Sequence, residues 1–271
     1  MTCRRRRLET TNVAATGKKI DNDNESTTTS AVVRKPWDVL RFISQSPKFV
    51  QSPFASFSRK STTTQIVIKP GEILWTPTSS SSSSSLLRFA PLDDVVMGGA
   101  SYSTIDDNTG IWCGYVTDAN NGGFVGIRTT PIPSSFDISS CTGIELRVRT
   151  TNDARSSGIA ASEQPQQRRR YKFITRDTTN FNGVCWTTEF DVDAPIASSS
   201  SSGNSSVMMI RIPFTKQIPT IFAKTVINVS FNANNVVGFQ FTYSKFAYDN
   251  KYNPHFQFGD FCLQLLELKS Y

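Results

Sequence analysis

The residues of this chain best suited to chemistry are its clustered acids. Asp93 and Asp94 stand side by side, with Asp106, Asp107 and Asp118 downstream. Paired carboxylates can serve as acid and base or ligate a hard cation such as calcium. On a strand, neighbouring side chains leave opposite faces, so the two share one small site only where the backbone turns. Met97-Gly98-Gly99 supplies such a turn, since glycine admits positive φ and close backbone approach. Two uses remain open for the pair: an aspartate that accepts backbone N–H bonds and pins the turn, or a cation site.

Other chemistry is thinly represented. His255, the single histidine, is the obvious near-neutral base, but its Asn253-Pro254 context reads as a turn, and no Gly-x-Ser-x-Gly elbow accompanies it. Neither a Gly-x-Gly-x-x-Gly opening a helix nor a Gly-x-x-x-x-Gly-Lys-Ser/Thr occurs. Asn120-Asn121-Gly122-Gly123-Phe124-Val125-Gly126 is glycine-rich but reads as a turn entering a strand, not as a phosphate cradle. Cysteines 3, 113, 141, 185 and 262 are odd in number, widely spaced and never Cys-x-x-Cys, which argues against a zinc site or a secreted disulfide framework. They are expected to be reduced and mostly buried in strands. The sequons at Asn24, Asn204 and Asn228 then carry little weight.

The elements that must position these groups are strands. Gly143 to Arg149 alternates, with Ile144, Leu146 and Val148 on one face and Glu145, Arg147 and Arg149 on the other. Further strands are expected at Gly122 to Thr129, Tyr171 to Arg176, Cys185 to Val192, Val207 to Pro213, Val236 to Tyr243 and Phe261 to Leu268. Ser-, Asn- and Pro-rich turns between them indicate an all-β antiparallel fold, a jelly-roll β-sandwich in preference to an up-and-down barrel. With 38% hydrophobic residues and 19 Phe, one core can form without staples.

The net charge of +7 is unevenly placed. Residues 1–70 hold 13 Lys or Arg against 5 Asp or Glu, a charge of +8, whereas residues 71–271 hold 16 against 17, a charge of −1. Basicity therefore belongs to the leader. Residues 1–34, opening on Arg4 to Arg7 and rich in Ser and Thr, form a disordered basic leader that suits an organelle transit peptide or an ordinary basic tail. Residues 35–70 hold a short amphipathic helix carrying Trp37, Leu40 and Ile43, packed on the domain or a partner, and a linker. Residues 71–271 form the domain. Ser79 to Ser85 and Ser198 to Ser202 are read as solvated loops, and Asn152 to Gln167 as a polar insertion. The Arg168-Arg169-Arg170 cluster that ends it starts a strand or contacts an anion or RNA. No run of about 18 apolar residues is present, so a soluble protein is expected.

Asp93-Asp94-Val95-Val96-Met97-Gly98-Gly99-Ala100-Ser101 resembles the hallmark of the complex I intermediate-associated protein 30 family. Later features follow in that family's order: Asn121-Gly122-Gly123-Phe124 with Arg128, Gly143 to Arg149, Tyr171-Lys172 with Arg176, Ile212-Pro213-Phe214, Val236-Val237-Gly238 and Gly259 to Leu263. The resemblance spans about residues 71–271. Phe89 stands where the family commonly has Trp, and the duplicated Val95-Val96 adds a residue or shifts the alignment. Trp37-Asp38 with Arg41-Phe42 looks like a segment found in photosynthetic members.

The resemblance implies a galactose-binding-domain-like jelly roll without catalysis or cofactor. Its expected role is assembly of respiratory complex I, on the matrix side of the mitochondrion. The implied partners are assembly intermediates of that membrane complex, namely its subunits and other assembly factors, with no DNA, with RNA disfavoured, and with membrane association only through those partners. An assembly or expression factor for a plastid photosynthetic complex, and a carbohydrate- or calcium-binding module, are the alternatives. Asp93, Asp94, Met97, Gly98, Gly99, Ser101, Asn121, Gly122, Gly123, Phe124 and Arg128 are the motif residues expected to contact a partner or to shape turns.

Overall fold

The computed structural model describes residues 65–78, 87–150, 168–193 and 207–271. The leader, the helix expected around Trp37 to Ile43, both serine tracts and the insertion at Asn152 to Gln167 lie outside the described residues.

Where the sequence alternates, strands form. In chain order they are β1 (Ile66–Val67), β2 (Ile73–Trp75), β3 (Phe89–Pro91), β4 (Tyr102–Ile105), β5 (Ile111–Val116), β6 (Phe124–Thr129), β7 (Phe136–Asp137), β8 (Gly143–Thr150), β9 (Arg169–Arg176), β10 (Cys185–Val192), β11 (Met208–Pro213), β12 (Ile218–Ile221), β13 (Lys224–Thr225), β14 (Gly238–Ser244) and β15 (Gly259–Ser270). Apart from the short parallel pair β1–β7, they build two antiparallel sheets. One runs β13-β12-β10-β9-β14-β6-β3; the other runs β11-β8-β15-β5-β4, with β2 also on β15. The chain is an all-β sandwich, as the alternation implied.

The core lies between the layers. Ile144, Leu146 and Val148 of β8 are buried there, and they face Tyr171 and Phe173 of β9 and Phe239, Phe241 and Tyr243 of β14 across one hydrophobic cluster. Trp112 of β5 links the layers, 4.9 Å from the ring of Phe261 in its own sheet and 6.0 Å from that of Tyr171 in the other. Such tilted and edge-on pairs add roughly 0.5–1.5 kcal/mol each beyond the apolar area they bury.

β15 is the central strand of its sheet. It pairs with β8 along one side and with β5 and then β2 along the other, because Leu263 faces both Trp112 and Thr150, and Leu268 both Trp75 and Leu146. Between Leu265 and Glu267 the register shifts, so Leu266 is an extra residue. One extra residue flips the two-residue period, and this puts Leu263, Leu265 and Leu268 in the same core although their numbers differ in parity.

The cysteines depart from the expectation. Cys113 of β5 and Cys262 of β15 stand directly opposite, Cα atoms 4.2 Å apart, and form a disulfide. Spacing alone hides this pair because 149 residues separate them; only the β5–β15 register brings them together. Cys141 and Cys185 are free thiols.

Part of the outward face of the seven-stranded sheet, over β9 and β10, is covered by the chain itself. Residues 245–253, between β14 and β15, fold over it as a hairpin strap whose tip docks on the β12–β13 turn. There Asp249 donates its N–H to the Ala223 carbonyl (3.0 Å) and its carboxylate accepts from Thr225 N–H and Oγ1–H (2.8 Å each). Lys172 of β9 lies beneath, 6% exposed, donating to the carbonyls of Phe246 (2.8 Å) and Ala247 (2.7 Å), with the Tyr248 ring 5.3 Å away. Burial pushes its pKa down to about 8, with the Glu189 carboxylate acting in opposition.

A lysine whose folded pKa lies below its unfolded one destabilises while charged in both states, and that cost disappears as pH rises from the folded value toward 10.5. The stability of the wild-type chain relative to Lys172→Met should therefore rise by about 2–3 kcal/mol between pH 7 and pH 10. Urea denaturation of both proteins at the two pH values measures it; a constant difference would show that Lys172 titrates normally.

Candidate functional site

The chain crosses from one sheet to the other at residues 92–101. β3 is paired with β6 as far as Pro91 opposite Ile127, and Leu92 donates to the Gly126 carbonyl (2.8 Å). Asp93 is extended, at φ −97° and ψ 172°. A single 3-10 turn follows over Asp94–Met97 and closes on Gly98 at φ 89°, after which β4 begins in the opposite sheet.

At this crossing both aspartates are wholly buried, and both carboxylates clasp a serine of the incoming β4 segment. Asp93 accepts from Ser103 N–H (2.9 Å) and Ser103 Oγ–H (2.6 Å). Asp94 accepts from Ser101 N–H (2.9 Å) and Ser101 Oγ–H (2.7 Å). Each also reaches the β6 segment: Gly126 N–H donates to Asp93 (3.2 Å) and Gly123 N–H to Asp94 (2.7 Å). Asp93 thereby supplies the acceptor for β6 just where β3 leaves the ladder. Two adjacent residues point to different serines because the turn intervenes, and together they tie β4 to β6, one strand from each sheet.

Burying a carboxylate costs several kcal/mol, and only well-placed donors offset it. Six N–H or O–H donors at 2.6–3.2 Å do so here. These groups direct hydrogens at the oxygens, whereas a cation shell needs lone pairs. Both aspartates pin the turn. Asp118 stands in the β5–β6 loop that carries Gly122 and Gly123, whereas Asp106 and Asp107 are elsewhere. Asp106 sits at the opposite end of β4, where its carboxylate accepts from Asn108 N–H (2.9 Å) and Thr109 Oγ1–H (2.8 Å) in the β4–β5 turn. Among the described residues no group of three or more His, Cys, Asp or Glu could hold a metal ion.

The glycines of the motif make room for Asp94. A Cβ on Gly99 would collide with the Asp94 carboxyl group from one side, and a Cβ on Gly122 would collide with its Oδ2 from the other. Asn120 and Asn121 carry the second loop through positive φ (58° and 61°), a region that Asn tolerates better than most residues. Asn120 Nδ2–H donates to the Gly98 carbonyl (3.1 Å), which binds the two loops to each other. Met97 is 71% exposed at the outside of the turn, Phe124 is half-buried, and Val95 is buried beneath. Phe89, in the usual Trp position, packs 5.5 Å from Trp75 and 5.7 Å from Phe241.

Ten of the eleven motif residues therefore gather at one end of the sandwich, and Arg128 does not. It lies near the other end of β6, about 13 Å further along at 3.3 Å per residue. Its guanidinium stands 5.1 Å from the Phe181 ring, and burial together with the neighbouring Arg176 lowers its pKa to about 10. Ser103 and Gly126 complete the site but were not expected there. The spacing Ser101-Tyr102-Ser103, two hydroxyls on one strand face behind two acids, is the signal that could have found the first.

Of the remaining candidates, the arginines are engaged within the chain. His255 follows Pro254 in a turn, its N–H donating to Asn253 Oδ1 (3.0 Å). Arg170 pairs with Asp191 through Nε (2.6 Å) and Nη2 (2.9 Å), Arg168 pairs with Asp191 (2.9 Å), and Arg169 donates to the Asp260 carbonyl (2.8 Å) and to Tyr243 Oη (3.2 Å). The cluster starts β9 and is held by β10 and β14 of its own sheet and by β15 of the other.

Asp94→Ala should lower stability by about 3–5 kcal/mol, because it leaves Ser101 and Gly123 donors buried without an acceptor. Gly99→Ala should cost a similar amount by displacing the same carboxylate, and clearly less when Asp94 is already Ala. Met97→Ala should stay within about 0.5 kcal/mol of wild type. Denaturant unfolding of the four variants measures these differences; full additivity of the Asp94 and Gly99 changes would contradict the cradle.

A search of curated proteins returned no match to the chain. The sequence model of the complex I intermediate-associated protein 30 family matches residues 79–265, a span that takes in both aspartates, their serines and the glycine loops. That match covers well over half of the 271 residues, and the chain belongs to the complex I intermediate-associated protein 30 family.

Proposed function

We propose that this chain is a non-catalytic assembly factor that holds protein intermediates of respiratory complex I while that complex is built, on the matrix side of the mitochondrion. Family membership ties it to complex I assembly, and that is the observation that carries the proposal. The geometry of the motif supports a binding role: its carboxylates and hydroxyls are consumed in holding two loops together. What those loops turn outward is the Met97 side chain. Loops fixed to a rigid scaffold are common carriers of binding function. The partners are complex I subunits and other assembly factors, met at the turn of residues 97–101 and the loop of residues 120–124, and any membrane association comes through them.

The test is tagged expression in cells with mitochondrial complex I, followed by affinity purification from isolated mitochondria and native electrophoresis. The expected outcome is co-migration with a sub-complex of complex I, less assembled complex after deletion, and weaker co-purification by Met97→Asp at unchanged stability. Absence from every such particle, with normal assembly after deletion, would overturn the proposal.

A further inference from the structure

Among the described strands β11 is the last of its sheet, at the edge farthest from β4 and the aspartate crossing. The phase of its ladder decides which backbone groups face outward. One step beyond the Pro213–Gly143 pair, Phe214 N–H donates to the Thr142 carbonyl (3.0 Å). Gly143 turns the other way and exchanges both its bonds with Tyr271, at the end of β15 (3.3 and 3.1 Å). Hydrogen-bonded and non-bonded pairs alternate along an antiparallel ladder. The backbone of Met208, Ile210 and Ile212 therefore faces β8, and the N–H and C=O groups of Met209 and Arg211 point away from the sheet. No hydrogen bond among the described residues takes them up.

Side chains leave the same edge open. Met208 and Ile210 turn toward the core but stay half-buried, while Val207 is 45% and Met209 62% exposed. Natural edge strands are guarded by charge, bulges or proline. Arg211 and Pro213 guard one half of β11, and the stretch Val207-Met208-Met209-Ile210 carries none of these. A strand added here would take the outward N–H and C=O groups and close over the two half-buried side chains.

Charge decides what that strand carries. Outward beside β11 lie Arg147 and Arg149 of β8 and Lys269 of β15, together with Arg211 of β11 itself; against these four cations stand Glu145 and Glu267. Glu145 is engaged, accepting from Arg211 Nε–H (2.8 Å) with Lys269 Nζ 3.8 Å away. Arg149 donates to the neutral Gln264 Oε1 (2.6 Å). Arg147, directly opposite Met209, is exposed and makes no ion pair among the described residues, although Glu267 is its register partner on β15. This face is cationic while residues 71–271 as a whole carry a charge of −1. A second copy paired through its own β11 would set two such cationic rows side by side, which disfavours self-pairing.

We propose that β11 is a strand-addition edge that takes an extended, acidic segment of a partner polypeptide, its carboxylates on the Arg147 side and its apolar side chains over Met208 and Ile210. That the segment belongs to a complex I intermediate rests on the assembly-factor reading; the preference for an acidic strand does not. The edge is separate from the Met97 turn and binds through backbone and charge.

The test uses the purified full-length chain and its amide 15N spectra, titrated with a short acetylated peptide alternating valine and glutamate and with the analogue bearing lysine at each glutamate. The glutamate peptide should shift the Met209 and Arg211 amides saturably and slow their hydrogen exchange, at a concentration about tenfold below that of the lysine peptide. The preference should weaken with salt. Met209→Pro removes an outward N–H that β8 does not use, so the fold should stand while peptide binding is lost. Arg147→Glu, at an exposed position, should abolish or reverse the preference between the peptides, and it keeps the proposal testable if Met209→Pro fails to fold. Three results would each overturn the proposal: no saturable shift at β11, equal affinity of both peptides for the wild-type chain, or a dimer that Met209→Pro abolishes and the peptide cannot displace. Because no organelle or client is involved, failure here leaves the complex I reading to its own experiment.

Discussion

Two carboxylates buried between the layers set the terms for one whole end of this molecule. Asp93 and Asp94 lie where the chain leaves one sheet for the other, and a charge placed there is tolerated only if donors surround it. The donors come from Ser101 and Ser103 on the way into β4 and from Gly123 and Gly126 at the start of β6. Several features follow from that need. The turn after Asp94 must be tight, glycine must stand at 99 and 122 where a Cβ would strike the carboxylate, and the two sheets must keep a fixed offset. The motif is thus one structural device, and its chemistry is spent on holding shape.

The sequence revealed most of the framework. Strong alternation at Ile144, Leu146 and Val148, and the run from Cys185 to Val192, fell where strands form, because each buries one face in a common core. The short strands β1, β2, β3, β4, β7, β12 and β13 escaped notice, being two to four residues long and thus too short to display a period, and so did β5, whose consecutive buried residues Trp112, Cys113 and Gly114 break the alternation. Leu266 was hidden for a related reason, since a bulge breaks alternation locally while preserving burial. The Cys113–Cys262 bond needed the register of two strands far apart in sequence.

The site was half legible. Acids and glycines in one segment suggested a pinned turn, but not that both acids would be used or that each would take its own serine. Alternation along a strand cannot say how a 3-10 turn redirects the next side chain. Arg128 was grouped with the motif by order along the chain, and β6 carries it away to the opposite end, beside Arg176.

The claim that the aspartate pair locks the two sheets is tested most directly by native-state hydrogen exchange of the amides that donate to it. Ser101, Ser103, Gly123 and Gly126 should exchange only through opening nearly as costly as global unfolding, although the first and third of these lie in loops. Exchange of Ser101 and Gly123 at rates typical of freely opening loops, with the strands β5 and β15 still protected, would contradict it.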